Sequence, residues 1–194
     1  MNSKSKPFLA LVLAIAIATT GCSAEWIKVA LQDLPVLTQM ALNIATLVTS
    51  LSSGQQASAA DVAVIQNISA QASRDLNLLQ VLYNEYKATP SATTLQKIQS
   101  AISDLNQNLP ALLQSGHISN PTLSARITAA VNLILTTVNS FASLMPQTSM
   151  PTSRQAPKAA LLHPKDLKKQ WNQQVCAPTG NATLDAAFAQ SVLR

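Results

Sequence analysis

The stretch NPTLSARITAAVNLILTTVNSFASLM, residues 120–145, decides the fold class of this 194-residue chain. Its apolar residues recur every three or four positions, which is the helical period. Asn120 is a favoured N-cap residue, Pro121 suits the first helical position, and Pro146 ends the pattern. The recurring apolar residues are Ile127, Val131, Ile134, Val138, Phe141 and Met145. The stretch therefore predicts one amphipathic helix with both of its ends defined.

Three earlier stretches show the same period, each over three or more heptads. The first contains Ile27, Ala30, Leu34, Leu37, Ala41, Ile44, Val48 and Leu51. The second contains Ile65, Ile68, Ala72, Leu79, Leu82 and Tyr86. The third contains Leu95, Ile98, Ile102, Leu105, Leu109 and Leu112. Alternation of apolar and polar residues, which is typical of strands, is not sustained anywhere in the chain.

Local signals divide these stretches into separate helices. Ser58 and Asp61 form an acidic variant of the capping box at the start of the second helix. The sequence Thr89-Pro90-Ser91 separates the second helix from the third, because proline disfavours helix at the residue before it. Gly116 follows the third helix, where a C′ glycine is expected.

Two prolines fall inside the helical patterns. Pro35 interrupts the first stretch and Pro110 interrupts the third. Because proline lacks an N–H and clashes with the preceding turn, we expect each to kink its helix or split it in two.

Four amphipathic helices joined by short loops predict an all-α protein, with an antiparallel up-down four-helix bundle over residues 22–145. Further apolar residues widen the helix faces beyond a simple coiled-coil seam, so each helix needs more than one neighbour. These residues are Leu47, Leu76, Leu78, Leu113, Leu133 and Leu135.

The composition changes after the bundle. Pro146, Pro151 and Pro157 indicate a linker over residues 146–163, of which we expect 146–160 to be poorly ordered. Six of the 13 basic residues follow Pro146. Residues 164–194 form a basic tail with one or two short helices, which we expect to be only loosely attached.

The first residues of the chain form a targeting signal. Lys4 and Lys6 precede an apolar run of 11 residues from Phe8 to Ala18, and small residues follow it. This order is typical of a secretory signal peptide, here residues 1–21. The run is too short for a transmembrane helix, which needs about 20 residues.

The segment Thr19-Thr20-Gly21-Cys22 resembles the lipobox of bacterial lipoproteins. The resemblance covers only about the first 23 residues, and it implies that Cys22 is acylated, with palmitate among the attached chains, and becomes the first mature residue. Two or more acyl chains hold a protein stably on a membrane. In Gram-negative lipoproteins Asp after the cysteine marks inner-membrane retention, so Ser23 implies the outer membrane, facing the periplasm. The alternative is an ordinary signal peptide cut near Ala24.

The sequence contains no known catalytic motif. The phosphate loop, the dinucleotide fingerprint and the Gly-x-Ser-x-Gly elbow are all absent. His117 and His163 are the only histidines, and neither is spaced for a triad or a metal site. We therefore expect no enzyme activity, no cofactor and no metal. An exported chain with so few basic residues also makes nucleic acid an improbable partner.

Three features leave alternatives open. Arg74 and Asp75 form either a buried ion pair or a solvated helix edge. If Cys22 is lipidated, Cys176 is either a free thiol or part of an intermolecular disulfide. Trp171 lies in a basic stretch with Lys165, Lys168 and Lys169, which suits a partner or an anionic headgroup, whereas a short helix docked through its apolar residues is the alternative.

The chain is thus expected to be a lipid-anchored, non-catalytic helical bundle of the cell envelope with a structural or protein-interaction role. Its partner is the membrane, through Cys22, together with an envelope protein or a second copy. The low charged fraction of 11%, against about 25% in typical domains, suits such contacts. The alternative is a binding module for an apolar or amphipathic ligand between the helices.

Overall fold

The computed structural model describes residues 24–53, 57–145 and 163–194, and for residues 24, 25 and 48–53 it describes the backbone but not the side chains. Within these ranges the chain forms six helices and no strand. The helices are α1 (Ala24–Ser53), α2 (Ala59–Ala88), α3 (Ala92–Ser115), α4 (Pro121–Ala142), α5 (Pro164–Gln174) and α6 (Ala182–Ala189). The signal segment, Cys22 and the predicted linker up to residue 162 lie outside the described residues.

Helices α1 to α4 surround one apolar core, which is consistent with a bundle and confirms the all-α prediction. Every predicted seam residue whose side chain is described is buried, except Leu112, which is partly buried. Val48 and Leu51 fall among the residues whose side chains are not described. Each fully buried Leu, Ile or Phe removes enough apolar surface from water to contribute about 1.5–3 kcal/mol.

One residue expected to widen the apolar face lies outside the core. Leu78 is 49% exposed, while Leu76 and Leu79 on either side of it are completely buried. Val81, three residues further along α2, is 62% exposed. Residues three apart share one side of a helix, so Leu78 and Val81 lie on a side of α2 that faces solvent.

The predicted helix starts are confirmed. The Ser58 Oγ accepts from the Asp61 N–H at 3.1 Å, and the Asp61 carboxylate accepts from the Ser58 N–H at 3.0 Å, which completes the capping box. Asn120 caps α4 by accepting from two backbone N–H groups, and Pro121 is the first helical residue. Such caps satisfy amides that have no partner within the helix.

Both internal prolines lie within continuous helices. Of the two expected effects, a kink or a split, the split does not occur at either proline. Pro35 is exposed and Pro110 is partly buried. Each removes one backbone hydrogen bond. At exposed Pro35 water can reach the carbonyl that loses its donor, which limits the energetic cost.

Gly116 ends α3, but not through the left-handed conformation expected of a C′ glycine. Its φ is −92°, and it is the C-cap residue. A Cβ placed on it would clash with Cγ1 of Val64 in α2. Glycine is therefore needed here for the close approach of α2, not for its backbone freedom.

The short C-terminal helices pack against the bundle, α5 on α1 and α4, and α6 on α1. Leu167, Trp171, Val175 and Phe188 are completely buried. The tail is thus docked on the bundle, while the strength of its attachment stays a prediction. Residues 167, 171 and 175 repeat every four positions. This repeat places them on one side of α5 and its C-cap. The basic residues Lys165 and Lys169 of the same helix are exposed instead.

Candidate functional site

Trp171 does not form an exposed interaction site. Its side chain is completely buried, and its indole Nε1 donates to the Ser191 carbonyl at 2.8 Å. The docked alternative of the sequence analysis is the arrangement found. A partner or a headgroup cannot reach this ring without displacing the C-terminal residues.

The three lysines expected to accompany Trp171 differ in their surroundings. Lys165 and Lys169 are exposed, whereas Lys168 is partly buried and its Nζ donates to the Arg194 carbonyl at 2.6 Å. Lys165 and Lys169 therefore keep their ammonium groups at the surface of α5, and Lys168 helps to hold the end of the chain in place.

Side chains from distant parts of the chain bind the C-terminal residues. The Asn43 Nδ2 in α1 donates to the Ser191 carbonyl at 3.0 Å, so this oxygen accepts from both Asn43 and Trp171. Asn172 and Leu193 exchange two hydrogen bonds of 2.9 Å each. The segment after α6 is therefore fixed by both α1 and α5.

Asp33 is the most unusual side chain in the described structure, and the sequence analysis did not single it out. It is completely buried in α1, and neither carboxylate oxygen has a hydrogen-bond partner among the described residues. Burial raises the pKa of this carboxyl from 3.8 to about 7, since desolvation disfavours the charged form. The neutral acid of Asp33 is therefore favoured to a much higher pH than that of a solvent-exposed aspartate.

An aromatic cluster closes the core near the start of α1. The ring of Trp26 lies 5.4 Å from that of Tyr83 and 6.1 Å from that of Tyr86, and Tyr83 contacts Phe141 edge to face at 6.3 Å. The Tyr83 hydroxyl is buried, which raises its pKa. These contacts show the cluster to be part of the core, as the periodic pattern predicted for Tyr86.

Asp61 joins two loops at the opposite end of α2. Besides capping its own helix, its Oδ1 accepts from the Ser119 N–H at 2.8 Å and from the Ser119 hydroxyl at 3.2 Å. Burial acts to raise the pKa of Asp61, but the hydrogen bonds from Ser119 and Ser58 outweigh it and hold the pKa below its ordinary value. The carboxylate therefore connects the start of α2 to the α3–α4 loop through hydrogen bonds.

Arg126 and Asp185 stabilise the turn after α5. The Arg126 guanidinium donates to the carbonyls of Gln174 and Ala177. Asp185 accepts from the Thr179 hydroxyl at 2.7 Å and from its N–H at 2.6 Å, and these bonds lower the pKa of Asp185. In the same region burial raises the pKa of the Cys176 thiol to about 11, so this cysteine is a poor nucleophile at neutral pH.

The charged groups settle one alternative of the sequence analysis. Asp75 accepts two hydrogen bonds from the Gln71 amide, and Arg74 donates to the same residue, so they form a helix-edge network rather than a buried ion pair. Among the described residues the one ion pair joins Lys97 to Glu85 at 3.9 Å, with both side chains about half exposed. His117 and His163 are both exposed.

Two grooves of the described surface are open to solvent. One, of about 470 Å³, lies between α3 and the end of α4 and is lined by Gln99, Ser103, Asn106 and Gln107 beside apolar residues. The other, of about 390 Å³, lies beside Arg126 and Gln174. Both combine polar and apolar walls, so neither provides the enclosed apolar cavity that a ligand held between the helices requires.

Within residues 24–53, 57–145 and 163–194, no three His, Cys, Asp or Glu side chains are grouped so that they could hold a metal ion. None of the helices in these ranges is both long and apolar enough to cross a bilayer. The chain matches no protein-family model, no curated protein and no solved structure.

Proposed function

We propose that this chain is a lipid-anchored, non-catalytic helical-bundle protein of the bacterial cell envelope, with a structural or protein-interaction role. The observation that carries the proposal is the segment Thr19-Thr20-Gly21-Cys22 after an apolar run of 11 residues. Helix α1 begins at Ala24, two residues after Cys22. The folded body would therefore start directly at the anchor, with no extended spacer between them.

The non-catalytic part of the proposal is supported by how the chemistry-bearing side chains are used. Asp61 and Asp185 are engaged in caps and turns, and Arg126 holds backbone carbonyls. Cys176 has a raised pKa. These groups act in holding the fold, and none is paired with a base or an acid in the manner of a catalytic site.

An interaction role is supported by the surface. Uncharged amides and hydroxyls dominate its polar residues, and Asn106 and Asn139 exchange hydrogen bonds of 2.7 and 2.9 Å in the open between α3 and α4. Among the side chains that the structure describes, four large apolar ones are also more than 40% exposed, namely Leu42, Leu78, Val81 and Val192. A surface of this kind meets little charge repulsion when it approaches another copy or an envelope protein.

The proposal also includes the antiparallel up-down order of α1 to α4. Trp26, near the start of α1, contacts Tyr83, near the end of α2, and the Ser69 hydroxyl donates to the Ala41 carbonyl at 2.6 Å. These two contacts have the opposite order along the two helices, which supports an antiparallel pair. The Asp61–Ser119 and Asn106–Asn139 contacts support the same order for the remaining helices.

The anchor is tested by Cys22→Ser, with Cys176→Ser as the matched control, since the chain has two cysteines. The Cys22→Ser protein is expected to lose incorporation of labelled palmitate and to leave the membrane fraction, while Cys176→Ser keeps both. If the Cys22→Ser protein still sediments with outer membranes after a high-salt wash, an acyl anchor does not hold it.

The membrane assignment is tested separately by Ser23→Asp, expressed in a Gram-negative host. The variant is expected to move from the outer- to the inner-membrane fraction on a sucrose gradient, with Ser23→Ala remaining in the outer membrane. Recovery of the wild type or of Ser23→Ala in the inner-membrane fraction would refute the outer-membrane assignment while leaving the lipid anchor intact.

A further inference from the structure

An apolar pair lies on the solvent side of α2. Leu78 and Val81 are three residues apart, so they share one side of the helix, and both side chains are exposed. They are two of the four large apolar side chains that are exposed among the described residues. Helix α2 packs chiefly against α1 and α3, and neither of them covers this pair. Neighbouring apolar side chains left in water mark a surface that is stabilised when a partner covers it.

The apolar pair is flanked by opposite charges at equal spacing. Arg74 comes four residues before Leu78, and Glu85 comes four residues after Val81. The four residues therefore follow the 4-3-4 spacing with which one helix packs along another. Both charged side chains are exposed. We call residues 74, 78, 81 and 85 the outer seam of α2; it is basic at one end, apolar in the middle and acidic at the other end.

This order of charges makes the outer seam complementary to itself. When two copies pair about a two-fold axis, residue i of one copy faces residue j of the other, and j faces i. An axis midway between Leu78 and Val81 places each of them against the other residue in the second copy. The same axis places Arg74 against Glu85 of the second copy, because both pairs are centred on the same point of the helix. Each contact then occurs twice, whereas a parallel pairing would bring like charges together.

Both charged side chains have atoms left for such a contact. The Glu85 Oε1 accepts from the Thr94 hydroxyl at 2.8 Å and lies 3.9 Å from the Lys97 Nζ, while no hydrogen bond from the described residues engages Oε2. The Arg74 Nη2 donates to the Gln71 Oε1 at 2.6 Å, and the guanidinium has further N–H donors. Exposed charges of this kind act more on the choice of partner and register than on affinity.

We propose that the outer seam of α2 is the interface of an antiparallel, two-fold symmetric dimer of this chain. The dimer covers Leu78 and Val81 of both copies and joins Arg74 to Glu85 at each end. The proposal rests on the interaction role proposed above, with a second copy as the partner, and it does not depend on the lipid anchor. Because each copy contributes one helix, the interface is small, and the dimer dissociates on dilution.

The experiment is analytical ultracentrifugation of the purified full chain in excess detergent over a range of protein concentrations. The wild type is expected to change from monomer to dimer as its concentration rises. Leu78→Asp introduces a charge into the apolar middle of the seam and should remain monomeric throughout. Leu42→Asp, at a similarly exposed leucine of α1, should dimerise as the wild type does. Circular dichroism of each variant verifies that the helices are retained.

The register is tested by reversing the charges. Arg74→Glu and Glu85→Arg each bring like charges together at both ends of the dimer. Each variant alone should therefore raise the dissociation constant by roughly tenfold or more. In an equal mixture, a dimer of one chain of each variant has opposite charges at both ends. The mixture should associate about as tightly as the wild type.

Three outcomes would overturn the proposal. A wild type that is monomeric at every concentration would mean that another protein, or none, covers the seam. Equal loss of dimer in Leu42→Asp and Leu78→Asp would place the interface elsewhere. A mixture of the charge variants that associates no better than either alone would exclude the antiparallel register. If Leu78→Asp fails to fold, Val81→Asp decides in its place. The Cys22→Ser fractionation is a separate result, because dimerisation in detergent does not require the anchor.

Discussion

Replacement of Trp171 tests whether the C-terminal layer, formed by α5, α6 and the residues after α6, unfolds together with the long helices. The side chain is completely buried and its Nε1 donates to the Ser191 carbonyl. Trp171→Ala removes a large buried aromatic group and leaves a cavity, which typically costs about 3–5 kcal/mol. That is a large part of the 5–15 kcal/mol by which most domains are stable.

Trp171→Phe separates the hydrogen bond from the packing. It keeps most of the apolar contact and removes the donor. The Ser191 carbonyl still accepts from Asn43, so the acceptor is not left without a partner. The loss is then expected near 1–2 kcal/mol, from about 1 kcal/mol for the hydrogen bond together with the smaller ring. Lys169→Ala, at an exposed position of the same helix, should change stability by less than 0.5 kcal/mol, roughly the range of surface substitutions.

Urea unfolding followed by circular dichroism measures these differences. A single transition with an unchanged m-value is expected for all three variants. The urea concentration at the midpoint should be highest for Lys169→Ala, lower for Trp171→Phe and lowest for Trp171→Ala. A loss below about 1 kcal/mol for Trp171→Ala, or a separate early transition in the wild type, would refute the reasoning. Either result would mean that the layer contributes little to the core.

Two further predictions concern the opposite end of α2. Gly116→Ala should lower the free energy of unfolding, measured with urea, by about 1–3 kcal/mol through overpacking against Val64. The same substitution should cost less when Val64 is already replaced by alanine. An equal loss in the two backgrounds would contradict the contact. Asp61→Ala should cost about 1–2 kcal/mol at pH 7 by removing the cap and leaving the Ser119 N–H unsatisfied. Because hydrogen bonds lower the pKa of Asp61 below its ordinary 3.8, the stabilisation is present above that pH and is lost as the pH falls through the folded-state value. Thermal unfolding at pH 7 and pH 2.5 should therefore show a smaller difference between wild type and variant in acid; an equal difference would exclude the carboxylate as its cause.

The long helices were readable from the sequence because their signals are local. Apolar spacing identifies the core side of each helix, and the caps at Ser58 and Asn120 need only the next three residues. Leu78 shows the limit of such reasoning, because the hydropathy of a residue does not reveal which side of its helix the neighbouring helices leave exposed.

The features that sequence reasoning missed depend on residues distant in the chain. Asp33 lies in a helix whose polar residues are mostly at the surface, and its burial arises only when other helices cover that side of α1. Gly116 was predicted only as the glycine that follows α3, whereas its contact with Val64 arises from the packing of two helices. The lipid anchor at Cys22 lies outside the described residues and stays a prediction.

The scarcity of ion pairs in the described fold has a consequence for the conditions in which the protein can work. Lys97 and Glu85 form a half-exposed pair at 3.9 Å, and such pairs contribute little. Dissolved salt weakens a fold chiefly by screening its charge pairs. A fold with one half-exposed ion pair among its described residues offers salt few charge pairs to screen, so its free energy of unfolding should change little with ionic strength.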